Sequence, residues 1–407
     1  PARVRRCRAA LATTSAAEPP KAPNGHSRAG CGTPTGEGGN GPLRLRECGD
    51  SLLTMVVLHR STSLPLLLLL VACEPAERSA SQPAGPAVAV GEPVVHRFGG
   101  PTMGSTYEVK FVGGAAIADV QKLVADELAA FDAAFSQWRN DSEIARVNAH
   151  ASSEPLPLSP RFAAVLQDAL AVAAATDGAF DPTVKPLSEL YRAAKTSGQP
   201  MEPAASAAAK ARVGYRHVQV RDGALVKLRP DVQLDLDGLV AGAACDAIAT
   251  KLPQSGVVSF YLEVTGEVLC RGEKAPGQPW RIGVVDPRAD VVGDDEPLRV
   301  LALRDASLCT SGDYRNRALV GGKLLHHVFD PRTGSNPEHR IVSASVLAER
   351  AAIADAFGTA FLVLGTDGVQ AIWPRLAAFG VRGALLLGVD GKGELEAKEF
   401  TWPQEER

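Results

Sequence analysis

Residues 326–334 read HHVFDPRTG, and they are the most informative segment of this chain. Histidine is the side chain best suited to move a proton near neutral pH. Because the step Asp330-Pro331 favours extended or turning backbone, we expect His327, three residues before Asp330, to lie in a loop rather than in a helix. Arg332 adds a planar cation suited to phosphate. Taken alone, the segment is equally typical of an ordinary turn. Whether it belongs to a functional site therefore depends on other parts of the chain.

Two oxygen-bearing side chains follow on a helix predicted over residues 351–364. Asp355 and Thr359 are four residues apart and therefore share one helical face. A carboxylate, a hydroxyl and a backbone carbonyl make an all-oxygen site, which suits Mg²⁺ rather than zinc or copper. The alternative is that the two side chains are helix caps or solvated groups, as isolated Asp and Thr residues commonly are.

A step from strand to glycine to helix is predicted over residues 234–243, LDLDGLVAGA. Such a step exposes backbone N–H groups at a helix N-terminus, which favours binding of a phosphate. The carboxylates of Asp235 and Asp237 would repel a phosphate bound beside them. A metal ion between the carboxylates and the phosphate would remove this repulsion. The alternative is that Asp237 is simply the helix N-cap.

Four further residues are candidates for ligand contacts. Met103 offers a soft apolar contact, and Gly104 after it lets the backbone come close to a flat ligand. Trp138 could stack on an aromatic ring, or it could be a core tryptophan with one wet edge. Asp181 could accept hydrogen bonds from a ligand or cap its own turn. Ser311 adds a hydroxyl upstream of the histidine segment.

The spacing of apolar residues predicts the secondary structure. Helices are expected over 120–131, from Ser159-Pro160 to about 177, over 351–364 and over 368–379, the last kinked or interrupted at Pro374. Strands are expected over 106–111, 217–220, 224–228, 232–236, 257–264, 280–285, 300–303, 341–347 and 384–389. Strands and helices do not alternate regularly, so we expect an α+β fold with an antiparallel or mixed sheet and helices packed on it.

Composition narrows the function. The 407 residues are 45% hydrophobic and 22% charged, as in a globular protein, and the net charge of −3 gives no reason to expect a nucleic-acid partner. Cys245, Cys270 and Cys309 form neither a disulfide framework nor a zinc motif, although one pair could form in an oxidising compartment.

The N-terminal part predicts an exported lipoprotein. Residues 1–54 lack apolar periodicity, and we expect either translated upstream sequence or a disordered arm. Residues 55–72 have the basic start, short apolar core and small residues of an export signal. Cys73 directly after Leu-Val-Ala is typical of a lipidated cysteine, the alternative being a chance apolar stretch. Residues 73–92 then form a Pro/Ala-rich tether, and residues 93–403 the folded domain.

Six segments, taken in order, resemble the ApbE family, the FAD:protein FMN transferases. They are PTMGSTY (101–107), GAFDPT (178–183), LDLDG (234–238), TSGDY (310–314), HHVFDPRTG (326–334) and the pattern Asp355-x-x-x-Thr359. The resemblance implies an ApbE-like (T-fold-like) sandwich of two subdomains with a flavin cleft between them. It also implies that FMN passes from FAD to a threonine or serine hydroxyl of a target protein, with Mg²⁺ present and AMP released.

The resemblance assigns roles to individual residues. It implies that His327 and Asp355 are catalytic and that Gly238, Asp355 and Thr359 hold the metal ion. The implied FAD contacts are Met103, Trp138, Ala179, Phe180, Asp181, Asp235, Glu267, Ser311 and His327. The family's targets imply a partner among flavin-carrying subunits of membrane electron-transfer complexes, and so an enzyme on the periplasmic side, lipid-anchored to the inner or outer membrane.

Three positions depart from the family pattern. Ala241 replaces a common lysine or glutamate, Ala243 replaces an aromatic residue, and Thr265 replaces the first glycine of a Gly-Gly-Glu triplet. We expect an active transferase with altered affinity or specificity for FAD. Two alternatives remain: an FAD-binding lipoprotein without transferase activity, and an Mg²⁺-dependent FAD pyrophosphatase that releases FMN and AMP.

Overall fold

The computed structural model describes residues 93–288, 297–314 and 316–403. The predicted upstream arm, the export signal, the lipidated Cys73 and the tether lie outside the described residues, and they stay predictions.

The helices of the described residues are α1 (Ile117–Phe135), α2 (Glu143–Ala149), α3 (Pro160–Ala175), α4 (Lys185–Ser197), α5 (Pro203–Lys210), α6 (Asp237–Lys251) and α7 (Ala351–Ile372). Helices α1, α3 and α7 form where apolar spacing predicts them. At the start of α3 the Ser159 hydroxyl accepts a hydrogen bond from the Phe162 amide, and Pro160 occupies the first turn, as the sequence indicates. Helices α2, α4 and α5 are not among those expected from the sequence.

The strands build one large sheet and three small ones. The strands of the described residues are β1 (Val95–Thr102), β2 (Ser105–Val112), β3 (Leu156–Pro157), β4 (Val218–Arg221), β5 (Ala224–Lys227), β6 (Ser259–Val264), β7 (Glu267–Arg271), β8 (Trp280–Val284), β9 (Arg299–Leu303), β10 (Ala306–Gly312), β11 (Arg317–Val320), β12 (Lys323–His326), β13 (Ile341–Ala348), β14 (Val381–Val389) and β15 (Leu395–Phe400). The large sheet has eight strands in the order β1-β2-β6-β7-β10-β13-β14-β15. Each pair of neighbours in it is antiparallel, which confirms the α+β expectation.

The large sheet is buried on both faces. Alternate residues of β7 separate the two sides: Leu269 belongs to the main core with α1, α3, α6 and α7, whereas Val268 and Cys270 pack with the β8–β9 pair. This alternation follows from the two-residue period of a strand. The sheet therefore has helices on one face and a hairpin on the other.

A smaller apolar cluster forms a second lobe, which we call the small lobe. Leu187 and Tyr191 of α4 pack with Ala209 of α5 and with Phe329, and Leu325 of β12 lies against them. The small lobe thus comprises α4, α5 and the β11–β12 hairpin. Because β12 ends at His326, the segment 326–334 runs from this lobe back towards the large sheet.

The late helix is the apolar centre of the fold. Helical geometry breaks at Gly365 (φ 64°, ψ −176°) and resumes to Ile372, after which Trp373–Phe379 forms a 3₁₀ turn with Pro374 at its start. Both the division into two helical segments and the interruption at Pro374 are thereby confirmed. By length and composition alone, Ala351–Phe379 could cross a membrane, but most of it is buried inside the fold as a core helix.

One predicted strand is wrong. Residues 232–236 form no strand, although Val232, Leu234 and Leu236 are all fully buried. Their backbone amides form hydrogen bonds with a side chain and with a loop instead of with a neighbouring strand. Leu234 N donates to Asn148 Oδ1 at 2.6 Å, and Asp235 N donates to Pro182 O at 2.8 Å. Alternating burial therefore looks like a strand in the sequence although no neighbouring strand is present.

Candidate active site

A cavity of about 500 Å³ lies between the small lobe and the first turns of α6 and α7. Of the residues implied as catalytic, metal-binding or FAD-binding, all except Met103 line it. They are Trp138, Ala179, Phe180, Asp181, Asp235, Gly238, Glu267, Ser311, His327, Asp355 and Thr359. Segments that are far apart in the sequence thus meet at one place.

Met103 lies at a neighbouring pocket, which shares Trp138 and Asp237 with the main cavity. Met103 and Gly104 form the turn between β1 and β2, with φ angles of 47° and 75°. Two successive positive φ angles are typical of a type I′ hairpin turn, which explains the glycine. Ala241 also lines this second pocket.

Asp181, Asp237, Glu267 and Asp355 line the cavity, and burial raises the pKa of each of them. Asp355 is buried, its Oδ2 accepts a hydrogen bond from the Gly242 amide at 3.1 Å, and burial raises its pKa to about 7. Glu267 Oε2 accepts a hydrogen bond from Thr310 N at 3.2 Å, and removal from bulk water together with the Asp355 carboxylate raises its pKa well above the usual value. Two such carboxyls close together create a local excess of negative charge.

Neutral oxygen groups adjoin the carboxyls. Ser311 Oγ and Thr359 Oγ1 are 3.4 Å apart. A Cβ atom added to Gly238 would lie 3.2 Å from Thr359 Oγ1 and 3.2 Å from the Phe180 ring, so the glycine lets the start of α6 approach both. The predicted metal ligands Gly238, Asp355 and Thr359 are therefore neighbours.

These residues fit a hard divalent cation. Within residues 93–288, 297–314 and 316–403, no group of three or more His, Cys, Asp or Glu side chains is arranged to hold a metal ion. A cation here would need hydroxyl and backbone oxygens beside the carboxylates, which is the donor set that Mg²⁺ accepts. The clustered buried carboxyls supply the charge that such an ion would neutralise.

His327 follows β12 directly and lies in a loop, as the sequence predicts. The His327 side chain is exposed where it lines the cavity, and the protein around it displaces part of its water. This partial desolvation and the Lys195 ammonium lower its pKa, while a hydrogen bond with the Asn316 backbone opposes the shift. The imidazole is therefore neutral at neutral pH and can accept a proton.

The loop that carries His327 is fixed by hydrogen bonds on both sides. Asn336 Nδ2 donates to the carbonyl oxygens of His326 (2.8 Å) and Val328 (2.7 Å), and its Oδ1 accepts from His326 N (3.2 Å). Arg332 donates to Asp330 through Nε (2.9 Å) and Nη2 (2.8 Å). The guanidinium of Arg332 thus closes its own turn and does not line the cavity, and its use for phosphate stays a prediction.

Three of the alternatives left open by the sequence are resolved. Trp138 is not a core residue, because 84% of it is exposed. Both Asp181 oxygens are used inside the protein, since Oδ1 accepts from Thr183 N and Oδ2 from Tyr215 N, each at 2.8 Å. Asp237 is the first residue of α6 and not its N-cap. Its amide donates to Asp235 Oδ1 at 3.1 Å, so Asp235 acts as the capping acceptor.

One wall of the cavity comes from α4 and is not predicted from the sequence. Ser188, Tyr191, Arg192 and Lys195 of this helix line the cavity, while Leu187 is buried in the small lobe. The spacing 188, 192 and 195 marks one helical face, and this amphipathic pattern is the signal that could have identified it. No motif includes these residues.

The thiols take no part in the cavity wall. Cys245, Cys270 and Cys309 are free and buried, so the disulfide that one pair could have formed is absent among the described residues.

Comparisons with known proteins agree on one family. The family model described as "ApbE family" matches residues 103–379. The FAD:protein FMN transferase of Salmonella typhimurium is 36% identical over 334 residues, which cover 79% of this chain and 91% of that protein. The protein of the same description from Vibrio cholerae is 32% identical over 316 residues, covering 76% of this chain and 89% of that protein.

Solved structures show the same fold. The flavinyl transferase ApbE of Pseudomonas stutzeri in its apo form superposes with a TM-score of 0.66 at 30% identity, covering 75% of this chain and 95% of that one. The flavin transferase ApbE from Vibrio cholerae gives a TM-score of 0.65 at 28% identity, covering 75% and 97%.

Proposed function

This chain belongs to the ApbE family, and we propose that its cavity transfers FMN from FAD to a threonine or serine hydroxyl of a target protein with the help of Mg²⁺. The activity that follows from membership of this family is the transfer of FMN from FAD to a protein. The acceptor hydroxyl, the metal ion and the roles of the individual residues are the substance of the proposal.

The reaction is a phosphoryl transfer. The acceptor oxygen forms a bond to the phosphorus on the flavin side of the pyrophosphate. The bond from that phosphorus to the bridging oxygen breaks, and AMP leaves with the electron pair. The hydroxyl proton must go to a base. Since little covalent chemistry is left for the protein, catalysis depends on positioning and on neutralising charge.

His327 is the proposed base. A threonine hydroxyl is a weak nucleophile and needs a neutral acceptor within hydrogen-bond reach. The lowered pKa keeps the imidazole unprotonated at neutral pH. The hydrogen bond with the Asn316 backbone orients the ring, and a neutral imidazole that donates from one nitrogen keeps the other free to accept.

Asp355, Thr359 and the backbone carbonyl of Gly238 are the proposed holders of Mg²⁺. When bound, the ion would neutralise charge on the pyrophosphate oxygens. The Gly242 amide fixes one oxygen of Asp355 and leaves the other available. Ser311 beside Thr359 holds the two hydroxyls at one edge of the cavity.

One observation supports this function most strongly. A base-competent histidine on the small-lobe side and a carboxylate–hydroxyl pair on the late helix line a single cavity. The three residues come from two segments of the chain that no local structure forces together. Asp355 has no cation as partner within 4 Å among the described residues, which favours an ion as its counter-charge.

We propose further that the enzyme works at a membrane. The apolar run in 55–72 followed by Cys73 supports export and lipid anchoring on the periplasmic side, at the inner or the outer membrane. Its targets would then be flavin-carrying subunits of membrane electron-transfer complexes. Mass spectrometry of the N-terminal peptide tests the anchor, since a Cys73 without lipid in membrane-derived protein would contradict it.

The function is tested by intact-mass measurement. The purified protein is incubated with FAD, Mg²⁺ and a flavoprotein subunit that carries an acceptor threonine, and the mass of the subunit is recorded. We expect a gain of one FMN that disappears when Mg²⁺ is chelated or when the acceptor threonine is replaced by alanine.

Each other result points elsewhere. FAD that stays bound with no mass gain would indicate a binding lipoprotein. Free FMN and AMP without a labelled subunit would indicate a pyrophosphatase. An unchanged gain in the presence of a chelator would rule out the metal ion.

A further inference from the structure

Helix α4 presents two cations to the cavity. Arg192 and Lys195 are three residues apart on the face that also carries Ser188, and all three line the cavity. Among the described residues, they are the only Lys or Arg side chains that do so. One wall of the cavity is therefore basic.

Neither cation forms a close ion pair with a protein carboxylate, although the Arg192 charge acts on Asp237 from a greater distance and opposes the rise of its pKa. Lys195 Nζ donates to the side-chain oxygen of Asn316, a neutral group. The Arg192 guanidinium lies 5.9 Å from the centre of the Trp138 ring, and its Nε donates to Ser188 O at 3.4 Å. Within the described residues, no carboxylate lies within 4 Å of either cation, whereas Lys185 on the same helix pairs with Glu189.

A second wall is acidic. Asp235, Asp237, Glu267 and Asp355 lie on the side of α6, α7 and the large sheet. A cavity with unpaired cations on one wall and carboxylates on the other can hold an anion only at the first wall, unless a metal ion bridges it to the second. The substrate FAD carries two phosphates, so the two walls need not bind the same one.

We propose that Arg192 and Lys195 form an anion subsite that binds the phosphate of the adenylate half of FAD, and that AMP keeps this contact as it leaves. This inference rests on the function proposed above. It assigns the acidic wall with its metal ion to the flavin-side phosphate, and the basic wall to the leaving group.

The chemistry needs cations at the leaving group. When the bridging bond breaks, the phosphate of AMP gains one negative charge, so cations already in place stabilise the transition state more than bound FAD. Arg332 is paired with Asp330 and does not line the cavity, so helix α4 provides the only Lys or Arg side chains of the lining among the described residues.

A pair of ligands tests the subsite without any turnover. AMP and adenosine differ only by the phosphate, so the ratio of their affinities measures what the protein contributes to that group. Titration calorimetry of the full-length protein in EDTA gives both values. We expect wild type to bind AMP more tightly than adenosine, with a difference that shrinks as salt is added.

Removing the cations should remove the discrimination. In Arg192→Gln and Lys195→Met the affinity for AMP should fall about tenfold, the usual size for a hydrogen bond to a charged group, while the affinity for adenosine stays unchanged. Arg192→Lys and Lys195→Arg should recover part of it. Lys122→Met, an exposed lysine on α1 outside the cavity, is the matched control and should bind both ligands like wild type.

The outcomes separate this inference from the proposed function. Equal affinity of wild type for AMP and adenosine, or no measurable binding of AMP, would overturn the subsite even if FMN transfer is observed. Variants that bind AMP normally but need more acceptor protein would also overturn it, because the cations would then serve the acceptor. Failure of FMN transfer alone concerns the proposed function.

Discussion

Asn336 and His326 are joined by a pair of hydrogen bonds, in which His326 N donates to Asn336 Oδ1 and Asn336 Nδ2 donates to His326 O. The same nitrogen donates to Val328 O, so one side chain holds the backbone on both sides of His327. We predict that Asn336→Ala lowers kcat about tenfold to hundredfold, because a loosened loop misplaces the base, while KM for FAD changes little.

Steady-state kinetics with FAD as the varied substrate check this prediction. Asn336→Asp keeps the acceptor and loses both donors, so its kcat should lie between wild type and Asn336→Ala. If kcat falls only in the variants whose melting temperature also falls, and by an amount that follows that fall, Asn336 has a merely structural role. A normal kcat in Asn336→Ala would contradict the positioning role.

His327→Ala should abolish FMN transfer and leave FAD binding largely intact. The imidazole is the proposed acceptor of the hydroxyl proton, whereas many other residues line the cavity in which FAD is proposed to bind. The measurement pairs intact mass of the acceptor with FAD fluorescence titration. His326→Ala is the matched control, because that side chain does not line the cavity, and it should still transfer FMN.

The acid limb of the rate profile should lie below pH 6.5, the ordinary value for histidine. Crowding and Lys195 disfavour the protonated ring, so His327 stays neutral and active to lower pH than a free histidine, and the rate falls only as pH drops through its lowered pKa. In Lys195→Met the limb should move to higher pH. Rates measured from pH 5 to 9 at saturating substrates decide the matter, and an unmoved limb in Lys195→Met would contradict it.

Asp355→Asn should stabilise the metal-free protein at high pH. The folded pKa of about 7 lies above the ordinary 3.8, so the folded state binds more protons than the unfolded state between these values and loses stability as pH rises. Three pKa units correspond to a limit on the order of 4 kcal/mol at pH 8, which vanishes below pH 4.

Thermal melting in EDTA at pH 5 and pH 8 measures this effect. Mg²⁺ should raise the melting temperature of wild type at pH 8 and not that of Asp355→Asn. A variant that is less stable than wild type at both pH values would show that the Gly242 hydrogen bond outweighs the cost of the buried charge.

Gly242→Ala should destabilise the fold by about 1–3 kcal/mol or more. An added Cβ would lie 2.3 Å from Ala351 O and 2.7 Å from Ala352 N, and these backbone atoms belong to the start of α7. Helices α6 and α7 would have to separate. Urea denaturation compares this variant with Gly114→Ala, whose added Cβ meets nothing within 4 Å and should be neutral.

The parts of the fold that the sequence predicts are those where one periodicity dominates. Strand β2 and helices α1 and α3 follow directly from the spacing of their apolar residues. The strand predicted over residues 232–236 is wrong because buried and less buried residues alternate there without a neighbouring strand. The alternating pattern reflects contact with the hydrophobic core and not hydrogen bonding within a sheet.

The parts of the site that carry sequence motifs could be predicted. The parts whose role depends on contacts between residues far apart in the sequence could not. The histidine loop and the pair Asp355 and Thr359 come together as the family resemblance implies. Whether a cation is free depends on its neighbours in space: Arg332 is paired within its turn, and Arg192 has no carboxylate partner within 4 Å among the described residues. Spacing along the chain carries no information on that difference.

The burial of the three free cysteines sets the redox behaviour of the domain. Burial raises the pKa values of Cys245, Cys270 and Cys309, so their thiols stay protonated, and only a thiolate attacks disulfides or reacts readily with oxidants. While the domain stays folded, these three thiols are consequently poor nucleophiles, and oxidants or mixed disulfides should not modify them.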